Sequence, residues 1–238
     1  MMNAKSLYVG ATHRLRQGAA AVGVLDAWDR RAQESRGWRW SRSLLAVYDF
    51  EDLVALDVPW WTFAASDRID ALLRRRHDAR VFEWGSGAST VWLAKRAGSV
   101  VAVEHDESWA QMVDAALPAN AQVQFVSPQA ITTQAHPVRS GKSGFAGLDF
   151  TEYVAQIDVV GGPFDVIVID GRAREACLPR ALDHLAPGGV IVFDNVDRVR
   201  YRDAIDAQGS RIQVTWTRGL TPCLPYPTRT ALITHAGS

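Results

Sequence analysis

The chain has 238 residues, enough for one generous domain or one domain with an added cap. Hydrophobic residues make up 47% and charged residues 22%, so a large core is available and a disordered chain is excluded. Formal net charge is zero, which disfavours a polyanion-binding protein. Cys177 and Cys223 are the two cysteines, too few for a disulfide scaffold and in no zinc spacing; they read as unpaired thiols of a cytoplasmic protein. Met1 to Gln17 lacks the apolar centre of a leader peptide, and no run of 18 apolar residues occurs, so neither a signal peptide nor a membrane span is expected.

In chain order, residues 1 to about 65 are rich in Arg, Ala and Trp and predict a helical cap, with Ala19–Ala32 the best segment. Pro59-Trp60-Trp61 interrupts it. Ser66 is a candidate N-cap for a helix whose apolar face is Ile69, Leu72 and Leu73. From residue 79 the pattern alternates. Strands are expected at Val81–Phe82, Ser99–Val103, Gln122–Val126, Phe164–Ile169, Gly189–Phe193, Ile212–Trp216 and Thr230–Thr234. Helices are expected at Thr90–Ala97, Glu107–Ala116 and Pro179–Leu185, the last with its proline at a helix start. This is an α/β chain: a Rossmann-like, seven-stranded, mostly parallel sheet with helices on both faces and an antiparallel last strand. Residues 66–238 would form that domain.

Four predicted strands end in an acidic residue: Glu83, Glu104, Asp170 and Asp194. Ligands of parallel sheets bind beyond the carboxyl ends of the strands, so four such residues on one rim point to a site. Ser127–Phe150 breaks the rhythm and reads as a mobile loop, with a lid left open. Its Gly141-Lys142-Ser143 is not a P-loop, because His136 stands where the first glycine is needed.

The strongest signal is Glu83-Trp84-Gly85-Ser86-Gly87-Ala88-Ser89-Thr90 between a strand and a helix. Glycines allow a tight turn and close ligand approach, and the helix start offers free amides. Glu104 lies 21 residues after Glu83, at the distance of a ribose-binding carboxylate. A nicotinamide fingerprint would need Gly where Thr90 stands and would leave Glu83 without a task; a cofactor with a cationic amino-acid tail supplies one.

At this point the chain resembles the class I S-adenosylmethionine-dependent methyltransferases. Val81–Gly87 is similar to their first motif and Val101–Glu104 to the acidic motif that follows; Phe164–Asp170 and Leu185–Asn195 resemble motifs IV and V. The resemblance implies S-adenosyl-L-methionine at Glu83, Gly85, Ser86, Gly87, Ser89, Thr90, Glu104, His105 and Asp170. The family often places an acidic residue after its third strand; Ser127-Pro128-Gln129 stands there in this chain. Asp170 with Asp194 and Asn195 is similar to the metal site of catechol-type O-methyltransferases, which leaves Mg²⁺ open as a second cofactor. Arg172, Arg174, Arg198 and Arg200 stand close by and could replace a metal as counter-charge or grip an anionic substrate. The catalytic candidates are Asp170, Asp194 and Arg172, with either aspartate open as general base. The expected reaction is methyl transfer to a hydroxyl of a small acceptor, without nucleic acid or membrane, with a homodimer left open. An aminopropyltransferase on the same fold, or a non-catalytic cofactor-binding module, stays as the alternative.

Overall fold

The computed structural model describes residues 23–132 and 136–237, with residues 10, 12, 14, 16 and 18. From Val24 onward four helices come first: α1 (Val24–Glu34), α2 (Arg36–Ser43), α3 (Phe50–Ala55) and α4 (Phe63–Leu73). The first residues of the expected Ala19–Ala32 helix lie outside the described residues; α1 follows Gly23, whose φ of 69° suits glycine. Helix α4 starts three residues before Ser66, because the Thr62 hydroxyl accepts the Ala65 N–H and takes the cap, while Ser66 is buried and bonds back to the Thr62 carbonyl.

The alternating region follows: β1 (Arg80–Trp84), α5 (Ala88–Ala94), β2 (Ser99–Glu104), α6 (Glu107–Asp114), β3 (Ala121–Phe125), the short β4 (Gln129–Ala130) and β5 (Leu148–Asp149), and α7 (Thr151–Val160). Then come β6 (Phe164–Ile169), α8 (Arg174–Asp183), β7 (Leu185–Asp194), α9 (Val199–Asp206), β8 (Ile212–Gly219) and β9 (Thr228–His235). The main sheet has seven strands in the order β3-β2-β1-β6-β7-β9-β8. The first five are parallel, and β9 runs antiparallel to both β7 and β8. The expected doubly covered, mostly parallel sheet with an antiparallel last strand is the one found. Among the described residues no helix is long and apolar enough to cross a membrane.

Helix α8 departs from expectation. It begins five residues before Pro179, after Ala173 in a left-handed conformation, and carries the proline inside. Segment 127–150 is less open than a simple loop. β4 and β5 pair within it, and one Asp149 carboxylate oxygen accepts the N–H groups of Val138 and Thr151. Residues 133–135 of that segment lie outside the described residues.

One apolar cluster fills the space between the sheet and α7–α9, around Phe82, Trp84, Phe164, Ile167 and Phe193. A second packs α4 and α5 on the other face, with Trp61 edge-on to Trp92 at 6.0 Å. A third joins the N-terminal helices to Cys223 of the β8–β9 loop. The cap is fastened to that loop by polar contacts as well: Trp40 donates its indole N–H to the Leu224 carbonyl at 2.9 Å, and the Cys223 N–H reaches the Ser43 hydroxyl at 3.0 Å. Within the cap, buried Arg42 donates to both oxygens of Asp52 and to Asp29. These bonds hold the cap and the β8–β9 loop together over the carboxyl ends of the strands.

The ends of β1 and β6 approach so closely that neither can carry a side chain there. A Cβ on Gly85 would lie 3.0 Å from the Gly171 backbone, and one on Gly171 would lie 2.0 Å from the Tyr153 hydroxyl and 2.8 Å from the Gly85 nitrogen. Gly85 also has a φ of 95°. Gly171→Ala should therefore destabilise the fold by about 1–3 kcal/mol, the usual cost of overpacking, as measured by denaturant unfolding. Unchanged stability would show that the two turns can separate freely.

Candidate functional site

A cavity of 780 Å³ opens at the carboxyl ends of the parallel strands. The glycine turn and the ends of β2, β6 and β7 form its floor; Tyr48, Phe50, Leu53 and Trp60 from the cap form one wall; Leu224 and Tyr226 from the β8–β9 loop add to it. Among the residues singled out in the sequence, Glu83, Gly85, Ser86, Gly87, Ser89, Glu104, His105, Asp170, Arg172, Arg174, Asp194, Asn195 and Arg198 all line this cavity. Thr90 stands behind it, fully buried, and Arg200 is not one of its lining residues.

Glu83 is fully buried at the end of β1. Ser89 and Thr90, on the first turn of α5, donate their hydroxyls to its two oxygens at 2.5 and 2.6 Å. Thr90 in turn accepts the Gly87 N–H at 3.0 Å, which fixes the turn. Burial pushes the Glu83 carboxyl up to about 8; the two hydroxyls oppose this, and Asp170 and Glu104 add to it by charge repulsion. Glu104, at the end of β2, has the opposite environment. Burial would raise it, but the His105 ring and the N–H groups of His105 and Asp106, at 2.7 and 3.1 Å, hold it below the usual carboxylate range. The Ser86 N–H also reaches it at 3.1 Å, tying the glycine turn to β2. Trp109, on the first turn of α6, supports that turn by donating to the Ser86 carbonyl at 2.8 Å.

On the β6 and β7 side, Arg174 is the organising residue. It is 5% exposed. It donates to the backbone carbonyls of Gly171 at 3.1 Å, Asp194 at 2.8 Å and Asp170 at 2.5 Å, and pairs with the Asp170 carboxylate at 2.5 Å. Burial still outweighs this pairing and raises the Asp170 carboxyl, which keeps 23% of its side chain exposed. Asp194 is almost fully buried; burial and the nearby Asp170 charge push it up to about 7. Thr230 donates to one of its oxygens at 2.7 Å and the Asn195 amide to the other.

The expected metal trio therefore does not form an open cation site. The Arg174 guanidinium holds Asp170, and both oxygens of Asp194 accept hydrogen bonds, one of them from the Asn195 amide that was to be a ligand. Among the described residues, no group of three or more His, Cys, Asp and Glu side chains is placed to hold a metal ion.

The four arginines divide. Arg174 is committed to Asp170, and Arg200 to Glu175 at 2.8 Å and to the Gly141 carbonyl at 3.2 Å. Arg172 and Arg198 line the cavity and form no ion pair among the described residues. Arg198 bonds to the Tyr201 hydroxyl at 3.0 Å, and the Arg172 guanidinium lies over the Phe145 ring at 5.1 Å. Phe145 also meets the His105 ring at 5.2 Å, so segment 127–150 touches both halves of the cavity.

Residues 82–196 match the family model described as a methyltransferase domain. That stretch is a class I, S-adenosylmethionine-dependent methyltransferase domain. An O-methyltransferase from Bacillus cereus, solved with S-adenosylhomocysteine, is similar over 81% of this chain and 90% of its own, at 20% identity and a TM-score of 0.55. The O-methyltransferase TomG from Streptomyces achromogenes, involved in tomaymycin synthesis and solved with S-adenosylmethionine, is similar over 84% of this chain and 90% of its own, at 19% identity and a TM-score of 0.53. An rRNA methylase from Streptococcus thermophilus is similar over 71% of this chain and 95% of its own, at 13% identity and a TM-score of 0.45. At these identities the likeness is one of fold. No curated protein matches the chain in sequence.

Sequence reasoning missed two residues that line or support this cavity. Trp109 carried a readable signal, three residues after the N-cap Asp106. Thr230 did not: it meets Asp194 only because β9 inserts beside β7, pairing the two positions.

The Glu83 environment gives a pH prediction. Its carboxyl stays protonated in the folded protein well above 4.5, so its contribution to stability is full below that pH and is lost as pH rises through about 8. Glu83→Gln keeps an acceptor for the hydroxyls but cannot ionise. The unfolding free energy of the variant should gain on the wild type between pH 4.5 and 8, by on the order of 1 kcal/mol per pH unit in the ligand-free protein. Parallel stability curves would mean that Glu83 is not held neutral.

Proposed function

We propose that this methyltransferase transfers a methyl group to a hydroxyl of a small, anionic acceptor. The observation that carries the reading is that one cavity offers groups of both signs. Glu83, Glu104 and Asp170 line it, and so do Arg172 and Arg198, which form no ion pair among the described residues. S-adenosylmethionine, when bound, supplies an electrophilic methyl group on a sulfonium and carries an ammonium-bearing tail. The carboxylates suit that cation. Glu104 would accept the ribose hydroxyls, with His105 beside it. Gly85, Ser86 and Gly87 would let the cofactor approach the backbone, and Glu83, kept in place by Ser89 and Thr90, would face the ammonium group with Asp170.

On the acceptor side, Asp194 is the base this reading favours. It faces the cavity, and its carboxyl is held in place by Thr230 and Asn195. The acceptor oxygen would form the new bond to the methyl carbon as the sulfur–carbon bond breaks, and its proton would pass to Asp194. The chain contributes mainly positioning, with the oxygen held in line. A hydroxyl suits this rim better than an amine, which would arrive as an ammonium ion and meet Arg172 and Arg198. The same arginines can grip a carboxylate or phosphate with two parallel hydrogen bonds, and they argue against a polyamine and hence against an aminopropyltransferase. A neutral chain and a cavity of 780 Å³ favour a small molecule over a nucleic acid. The two cysteines are buried and unpaired, which fits a cytoplasmic setting.

Paired acceptors test the reading: hydroxybenzoates against the matching hydroxybenzamides, with labelled methyl groups on the cofactor. The acids should be methylated in preference, and Arg198→Ala should raise KM for the acids about tenfold or more while leaving the amides unchanged, as expected for loss of a charged hydrogen bond. Equal use of acids and amides, with both rates untouched in the variant, would remove the anionic acceptor.

A further inference from the structure

We propose that Arg174 is the resident cation of the carboxylates at the ends of β6 and β7, so that Asp170 and Asp194 take no divalent metal. The inference rests on the methyl-transfer reading above for what the carboxylates do, and on the geometry of the strand ends for what Arg174 does.

Asp170 and Asp194 end neighbouring parallel strands, and Asn195 follows directly. Two carboxylates and an amide at such a rim would be hard ligands for a six-coordinate cation if their oxygens were open to it. Here they are not. Ala173, at a φ of 48°, turns the chain into α8 so that the side chain of Arg174 runs back beneath the rim. Its guanidinium makes three hydrogen bonds to the carbonyls that end β6 and β7 and one ion pair to Asp170. It joins the two strand ends in the way a shared ion would.

A dication could enter only by expelling this group or by sitting against its positive charge. Both are costly where water is excluded, because like charges in a low dielectric repel strongly and a buried guanidinium stripped of its partners is left uncompensated. The partners of Asp194 point the same way. Thr230 and Asn195 each present a donor to it, one to each oxygen, which takes up part of the carboxylate's accepting capacity and leaves less of it for a metal. Tyr201 closes the back of the arrangement, with Arg174 over its ring at 5.6 Å. Arg174 thus acts as a positioning residue: it fixes Asp170 on the cofactor side and leaves Asp194 open to the acceptor.

The test uses Mn²⁺ as the probe and the protein saturated with S-adenosylhomocysteine, with metal uptake read from loss of the free-ion electron paramagnetic resonance signal. The wild type should leave the signal of equimolar Mn²⁺ undiminished. Arg174→Ala uncovers the carboxylate pair and should take up one Mn²⁺ per chain, and adding Asp194→Asn should abolish that uptake. Uptake by the wild type that disappears in Asp170→Asn overturns the proposal. So does an Arg174→Ala protein that still binds S-adenosylhomocysteine yet takes up no Mn²⁺. If Arg174→Ala does not fold, the wild-type measurement decides alone, since uptake at Asp170 contradicts the proposal and its absence supports it. Binding of S-adenosylhomocysteine is followed by calorimetry in the same samples, so a failure of the methyltransferase reading shows as lost cofactor binding and not as metal uptake.

Discussion

Four carboxylates at the ends of four adjacent parallel strands have to be accommodated where little water reaches them. In sheet order they are Glu104, Glu83, Asp170 and Asp194. Isolated charges in such a place would be prohibitive. Each is therefore met by a different device. Backbone N–H groups and an imidazole hold Glu104 ionised. Two hydroxyls receive a Glu83 that burial pushes toward neutrality. A guanidinium pairs with Asp170, and a threonine and an asparagine donate to Asp194. The first turn of α5, the left-handed entry into α8 and the insertion of β9 beside β7 each put one of these partners in place.

The same constraint gives the cavity its chemistry. Three acidic groups cluster where the glycine turn lets a ligand reach the backbone, and their repulsion is relieved by a cationic ligand. Of the arginines that line the same cavity, Arg172 and Arg198 form no ion pair among the described residues. Arg174 makes the ion pair to Asp170, and the charge of Arg172 adds to its effect on that carboxyl. The N-terminal helices border the same cavity: their hydrogen bonds to the β8–β9 loop bring Trp60, Tyr48 and Tyr226 to one opening.

Much of this was legible in the sequence, for reasons that differ by residue. The strands of the parallel sheet are buried on both faces and read as short apolar runs, each stopped by an acidic residue; those stops are the rim. The glycine turn was legible because only glycine tolerates the approach of Gly85 to Gly171. Helix α8 was misplaced because Pro179 suggested a start, whereas the helix opens on a left-handed Ala173 that no propensity announces. The metal trio followed from the order of residues along the chain. Which oxygens are already engaged depends on Thr230, 36 residues beyond Asp194, and on where Arg174 turns. Contacts of that range leave no local pattern.

The central claim is that the cavity binds a sulfonium nucleoside through Glu104. Calorimetric titration of the purified protein with S-adenosylmethionine and S-adenosylhomocysteine, beside Glu104→Ala, tests it directly. One site per chain is predicted, with the variant weaker by about 1–3 kcal/mol because bound ribose hydroxyls lose their acceptor. Absence of binding by the wild type, or equal binding by the variant, would contradict the account.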